Sequence, residues 1–228
     1  MKEESKRLAA EKASEFVTDG QVVGLGTGST AAIAIRALAS RIQHGLRITG
    51  VPTSRASEDL ARSLNIPLVE LNEVEKVDIL IDGADEVNPD FDMIKGGGGA
   101  LAREKLVALC ADLKVYAVDD SKLVDRLGRA FAVPVEVLPF GWQLSARRLR
   151  EIGCDAQLRG GAAPLITDNG NYILDCRFHD LTNPAEIERA IKLVPGVVES
   201  GIFIGIADLL VVGFDGRVEV RQKAPGTT

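Results

Sequence analysis

Long apolar runs are missing from this 228-residue chain. No stretch is long and apolar enough to span a bilayer. The opening Met1-Lys2-Glu3-Glu4-Ser5-Lys6-Arg7 is charged where a secretory signal would be apolar. A cytoplasmic protein with no membrane partner is expected. Cysteine is scarce: Cys110, Cys154 and Cys176 are odd in number and show no CxxC or metal-ligand spacing. That excludes a disulfide scaffold and predicts buried free thiols in a reducing compartment. Histidine is scarcer still, with His44 and His179 both read as incidental. No Ser-His-Asp set, paired histidine ligands or GxSxG elbow is present, so hydrolase and zinc chemistries lack their residues. Positive charge is not in excess either. The 27 Lys and Arg against 33 Asp and Glu leave −6, which argues against a nucleic-acid partner while permitting a local basic pocket.

The remainder is ordinary globular material, 46% hydrophobic and 26% charged, enough to bury a sizeable core. Apolar spacing predicts an amphipathic helix over 3–17, with Leu8, Ala9, Lys12, Ala13 and Phe16 near one face. A strand at Gln21–Leu25 leads through Gly26-Thr27-Gly28 to a helix striped by Ala31, Ile35, Leu38 and Ile42, with Ser29 as its N-cap. A strand near 47–51, a helix capped by Ser54 and running to Leu64, and strands at 66–69 and 77–81 follow. A helix over 100–111 and a strand over 114–118 complete a run of βαβ units. This is an α/β class signal: a Rossmann-like open, mainly parallel sheet with helices on both faces.

The rhythm changes near residue 127. A strand at Val133–Val137, a helix over 142–152, a hairpin over 165–174 around Asn169-Gly170, a helix over 184–194 and a strand over 197–202 give a β-α-β-β-α-β order. A smaller ferredoxin-like α+β domain is therefore expected at 128–200, with 1–127 and 201–228 forming the larger catalytic domain. Strands at 207–211 and 218–220 return to the larger sheet. Trp142 is read as core of the small domain, Arg147, Arg148 and Arg150 as a solvated helix face, and the 224–228 tail as frayed.

Three clusters each follow a predicted strand, which in an open parallel sheet gathers them at the carboxyl edge where ligands bind. In Lys95-Gly96-Gly97-Gly98-Gly99-Ala100-Leu101-Ala102-Arg103-Glu104-Lys105, four glycines feed a helix start, and Lys95 and Glu104 set a cation and a base beside its amides. That combination suits chemistry on a small anionic molecule. The run Gly24-Leu25-Gly26-Thr27-Gly28-Ser29-Thr30 lacks the sixth-position glycine of a dinucleotide fingerprint and the lysine of a P-loop. What remains is a phosphate cradle of hydroxyls and amides. Asp82-Gly83-Ala84-Asp85-Glu86 concentrates acids at a strand end. Two readings stand: a hard-metal site joined by Glu104 and Asp119, or carboxylates for acid/base work and hydroxyl binding. Lys95 weighs against the metal. Val118-Asp119-Asp120-Ser121-Lys122 adds a further lysine.

These blocks, their order and their spacing resemble the type A ribose-5-phosphate isomerase family, as do Thr167-Asp168-Asn169-Gly170-Asn171 and Pro195-Gly196-Val197-Val198. The resemblance spans nearly the whole chain. It implies interconversion of D-ribose 5-phosphate and D-ribulose 5-phosphate with no metal and no organic cofactor, in a homo-oligomer, dimer or tetramer. Glu104 would move a proton between C2 and C1. Asp82, Asp85 and Lys95 would contact sugar hydroxyls, assist ring opening and stabilise developing charge. Thr27, Gly28, Ser29 and Thr30 would line the pocket with Gly83, Ala84, Gly96, Gly97, Gly98 and Lys122, and Lys6 or Arg7 would reach the phosphate. Gly99 stands where relatives can carry alanine, implying a slightly looser loop, and Gly205-Ile206-Ala207 is assigned no role. An amino-sugar-phosphate deaminase or a CoA transferase with Glu104 as nucleophile is an enzymatic alternative on this architecture. A sugar-phosphate sensor is the non-catalytic one, although such sensors carry a helix-turn-helix that is not found here.

Overall fold

A computed structural model describes residues 2–223; the expectation of a frayed 224–228 tail lies outside the described residues. In chain order the elements are α1 (Lys2–Ser14), β1 (Gln21–Leu25), α2 (Ser29–Gln43), β2 (Ile48–Pro52), α3 (Arg55–Ser63), β3 (Val77–Asp82), β4 (Glu86–Val87) and β5 (Met93–Ile94). Then come α4 (Leu101–Cys110), β6 (Ala111–Asp119), β7 (Val133–Val137), α5 (Trp142–Glu151), β8 (Cys154–Leu158), β9 (Tyr172–Phe178) and α6 (Pro184–Lys192). Strands β10 (Val197–Ser200), β11 (Ile202–Phe203), β12 (Leu209–Phe214) and β13 (Arg217–Gln222) close the chain.

Packing divides the protein into two compact units. The first comprises the described parts of Met1–Ala84, Arg103–Lys122 and Ile206–Thr228; the second comprises Asp85–Ala102 and Leu123–Gly205. The sequence-based division rests on a change in element rhythm, and the packing-based one differs from it chiefly by the segment 85–102, which packs with the second unit.

The first unit is the α/β layer. Its sheet runs β13-β12-β6-β3-β1-β2, parallel throughout except for the β12–β13 hairpin. Strand period two sorts the side chains. Val23, Leu25, Ile79, Ile81, Val115, Ala117 and Val211 pack against Ala9, Ala10 and Ala13 of α1 and Ala34, Ile35 and Leu38 of α2. The alternate positions face α4: a Cβ on Gly24 would meet Leu80 Cδ1 at 2.8 Å and Val107 Cγ1 at 2.9 Å, so glycine lets the helix approach.

The second unit carries the antiparallel sheet β10-β7-β9-β8, covered on one face by α5 and α6, which is ferredoxin-like. Trp142 packs against this core.

Several sequence expectations are corrected. Helix α1 ends at Ser14, and 15–17 close as a tighter turn through N–H bonds reaching three residues back. Ser29 is the first helical residue of α2; Gly28, at φ 104°, holds the cap position, and no side chain caps the helix. No strand forms at 66–69. Pro67 has no N–H to offer, and only Leu68 bridges to Gly50. The 165–167 arm is not a strand: the Asn169-Gly170 turn is present, but β9 pairs with β7 and β8. The arm departs because Thr167, Asn169 and Asn171 all donate to Glu136 Oε1, at 2.9, 3.1 and 2.9 Å, wrapping the loop around a buried carboxylate. Cys154 and Cys176 are buried thiols, as expected, but Cys110 is exposed, because it ends α4 on the side turned away from the sheet.

Candidate active site

In the first unit the chain visits β1, then the outer β2, then returns to β3 on the other side of β1. This reversal is a topological switch point, where α/β sheets open a crevice at their carboxyl ends. Gly26-Thr27 and Asp82 meet there. Asp82 is fully buried, and its Oδ1 accepts the N–H groups of Thr27 at 3.0 Å and Gly83 at 2.8 Å. Gly26 is obligatory: a Cβ would lie 2.3 Å from Asp82 Oδ1 and 2.6 Å from its Cα. The Thr27 hydroxyl is turned inward, 2.8 Å from both Thr53 Oγ1 and Ser54 Oγ, while Ser57 Oγ donates to Gly26 O at 2.5 Å. Sequence reasoning missed this hydroxyl cluster, recognising Ser54 only as the cap of α3, which it is. Gly28 and Ser29 are exposed at the start of α2, whose 15 residues begin with no side-chain cap. That end is equipped for an anion.

Glu104 lies in the first turn of α4 and is 4% exposed. Val107 packs over Gly24 and Leu80, so Glu104, one turn nearer the helix start, is carried toward the carboxyl edge. Tyr116 is the register partner of Asp82, on the face turned to α4. Burial raises its phenol well above the ordinary range, and the charges of Asp82, Glu104 and Asp208 add to the effect. The side chain is therefore a neutral hydroxyl at working pH. Asp119, at the end of β6, accepts the N–H and hydroxyl of Ser121 through Oδ1 and so shapes the single turn Asp120–Lys122 that presents Lys122. Its buried Oδ2 has no hydrogen-bond partner among the described residues. The start of α1 reaches the same edge: Ser5 O approaches Gly213, the register partner of Asp119. Here Arg7 is committed to Glu4 and Glu11, at 2.6 and 2.7 Å, whereas Lys6 keeps a side chain only 13% exposed and pairs with Glu3 at 2.9 Å.

In the second unit Asp85 and Lys95 bracket β4 and β5. Lys95 is 2% exposed, with its N–H bonded to Gly201 O at 2.9 Å and Nζ 5.6 Å from the Phe203 ring centroid. Asp85 accepts the Gly97 N–H at 2.8 Å. Gly96 and Gly99 have φ of 102° and 83°, so glycine there keeps the loop free of strain. Gly97 and Gly98 are exposed. Glu86 takes no part in an acidic cluster open to ligand. It is buried, and its two oxygens accept the N–H groups of Gly128, Ala130 and Phe131 at 2.6, 2.6 and 2.7 Å. Among the described residues no group of His, Cys, Asp or Glu is arranged to hold a metal ion, and no helix is long and apolar enough to cross a membrane.

A switch-point crevice in the first unit, edged by a buried carboxylate and an uncapped helix, defines the class: an open α/β protein furnished for a small anionic ligand. The comparisons narrow it. The model of ribose 5-phosphate isomerase A (phosphoriboisomerase A) matches residues 49–216. The chain is 49% identical to the ribose-5-phosphate isomerase A of Thermosynechococcus vestitus over 95% of each chain, and 50% identical to that of Gloeobacter violaceus over 94% of each. The solved structure of ribose 5-phosphate isomerase A from Methanocaldococcus jannaschii superimposes with a TM-score of 0.92 at 45% identity, covering 96% of this chain and 98% of that one. A D-ribose-5-phosphate isomerase in complex with phospho-erythronic acid gives 0.94 at 40% identity, covering 97% and 99%. The chain belongs to the ribose 5-phosphate isomerase A family.

Proposed function

We infer that this protein interconverts D-ribose 5-phosphate and D-ribulose 5-phosphate. The observation that carries the reading is family membership over nearly the full length of both chains. The phospho-erythronic acid held by one relative agrees with it, since its planar carboxylate has the shape and charge of an enediolate.

The mechanism follows from what the reaction needs and which groups are buried. The Glu104 carboxylate takes the C2 proton of the open-chain aldose, the C–H electrons form the C1–C2 double bond, and the carbonyl electrons settle on O1. Glu104 returns the proton to C1 while the O2 proton passes to O1, so that O1 becomes the C1 hydroxyl and O2 the ketone oxygen, and atoms and charge balance. Placing a base beside donors aimed at the developing oxyanion lowers the barrier. Lys95 and the amides of Gly96 and Gly98 supply those donors, while the Gly97 amide holds Asp85 beside them. Asp82 and Asp85, held by loop amides, accept sugar hydroxyls and assist ring opening, with Gly83, Ala84 and Lys122 in contact. Gly28, Ser29 and Thr30 line the pocket and offer the α2 amides. Thr27 holds the turn behind them. Of the two N-terminal basic residues, Lys6 is assigned to the phosphate, because Arg7 is already shared between two glutamates. No metal or organic cofactor enters these steps. The enzyme is placed in the cytoplasm as a homodimer or homotetramer.

The test is ribulose 5-phosphate formation from ribose 5-phosphate with EDTA present, for the parent and for Glu104→Gln. The parent turns over, and the variant retains substrate binding while losing at least ~10²-fold in kcat, a typical general-base contribution. Binding without conversion by the parent would identify a sensor. Full activity in the variant would keep the reaction and remove Glu104 from it.

A further inference from the structure

The outer face of the small sheet carries a device that the isomerase blocks do not include. Along β8 and β9 the alternation sends Cys154, Ala156, Leu174, Cys176 and Phe178 into the core. The intervening Asp155, Gln157, Asp175 and Arg177, together with Arg159 just past the end of β8, go to the opposite face. Arg159 is fixed in its backbone: its N–H bonds to Ile173 O at 2.9 Å and its carbonyl accepts Leu165 N–H at 3.0 Å. Its guanidinium is divided between two tasks. Nε donates to Asp175 Oδ2 at 2.9 Å, with Nη2 on Oδ1, a planar bidentate pair that orients the fork. Nη1 is left to bridge two carbonyls of the glycine-rich loop, Gly96 O at 2.9 Å and Gly97 O at 3.2 Å.

Peptide planarity gives that bridge its consequence. In a trans peptide the carbonyl and the following N–H point in opposite directions, and no cis peptide is present among the described residues. With the Gly96 and Gly97 carbonyls turned to Arg159, the N–H groups of Gly97 and Gly98 are turned to the other side. The Gly97 N–H is found there on Asp85 Oδ2. We propose that Arg159, oriented by Asp175, is a positioning residue of the isomerase: it sets the peptide planes of the loop so that its amides and Asp85 face the substrate. This role rests on the isomerase reading. Glycine supplies the loop with close approach but little stiffness, and the guanidinium supplies the missing constraint. Loss of such positioning affects charge that appears in the transition state, hence kcat more than KM.

A cavity of about 450 Å³ lined by Gly97, Phe131, Asp155, Gln157, Arg159 and Arg177 lies against the fork and makes chemical rescue feasible. The experiment compares steady-state kinetics and thermal midpoints of the parent, Arg159→Lys and Arg159→Ala, the last also with millimolar guanidinium or methylammonium chloride. In both variants kcat falls by about 10-fold to 10²-fold, as small misplacements of reacting groups do, with KM little changed. Guanidinium, planar and able to reach both Asp175 and the carbonyls, restores much of the Arg159→Ala loss, and methylammonium does not. Full kcat in Arg159→Lys, equal rescue by the two cations, or a rise confined to KM would overturn the proposal. Should Arg159→Ala fail to fold, Arg159→Lys decides alone. A parent that does not turn ribose 5-phosphate over sinks the isomerase reading and this role with it. An active parent with unaffected variants sinks only the positioning role.

Discussion

A side chain on Gly26 would collide with the backbone of Asp82, so one missing methyl decides how closely β1 and β3 bring their carboxyl ends together. Residue-scale chemistry of this kind was half legible. Glu104, Asp82 and Lys95 stood out because a base, a strand-end acid and a cation beside loop amides suit chemistry on a small anionic molecule, and all three are buried. Thr53, Ser57 and Tyr116 did not stand out, since hydroxyls spread through a sequence acquire a common purpose only when strands bring them together. The cysteines show the same limit. Cys154 and Cys176 sit on adjacent strands; the neighbouring Cys154 thiol, then burial, raises the Cys176 thiol well above its ordinary value. A thiol reagent at neutral pH is therefore expected to label Cys110 rapidly in the native protein and all three cysteines only in denaturant. Fast native labelling of all three would contradict the buried placement.

At the scale of elements, local rules succeeded where the partner was local. Ser54 caps α3 by accepting the Ser57 N–H at 3.1 Å, three residues away, and three residues are within reach of sequence reasoning. The 165–174 hairpin failed because its first arm is claimed by Glu136, some thirty residues upstream. Strand β8 went unread even though Cys154-Asp155-Ala156-Gln157-Leu158 alternates apolar and polar residues; the Asn-Gly turn offered a more conspicuous signal. Glu86 belongs to this scale too. It ties 128–131 to β4 through three backbone donors. Glu86→Gln keeps one acceptor but sets an amide donor against the Gly128 N–H, with an expected loss of about 1–3 kcal/mol for a buried unsatisfied pair. Urea unfolding with an unchanged slope measures it, and an unshifted midpoint would show that the loop does not depend on that carboxylate.

For the whole molecule, the family resemblance leads to an oligomer, and the exposed apolar residues Leu106 and Leu109 of α4, at 55% and 68%, are compatible with further burial. Sedimentation equilibrium is expected to return two or four times the 24.3 kDa chain mass; a monomer at micromolar concentration would remove that expectation. The class of each unit was determined by the sequence alone, because strand and helix periods are properties of short stretches and their alternation follows from chain order. The candidate reacting groups also came from the sequence, through residue types that suit chemistry on a small anion and through the family resemblance that assigns their roles. The tertiary structure decided which segment packs with which unit, that 85–102 packs with the second unit and pairs its strands with β11, that Glu86 and Glu136 serve loops, and that Arg159 grips the glycine carbonyls. Those outcomes depend on contacts between residues tens of positions apart, and no local period or spacing encodes a contact that exists only once distant strands lie side by side.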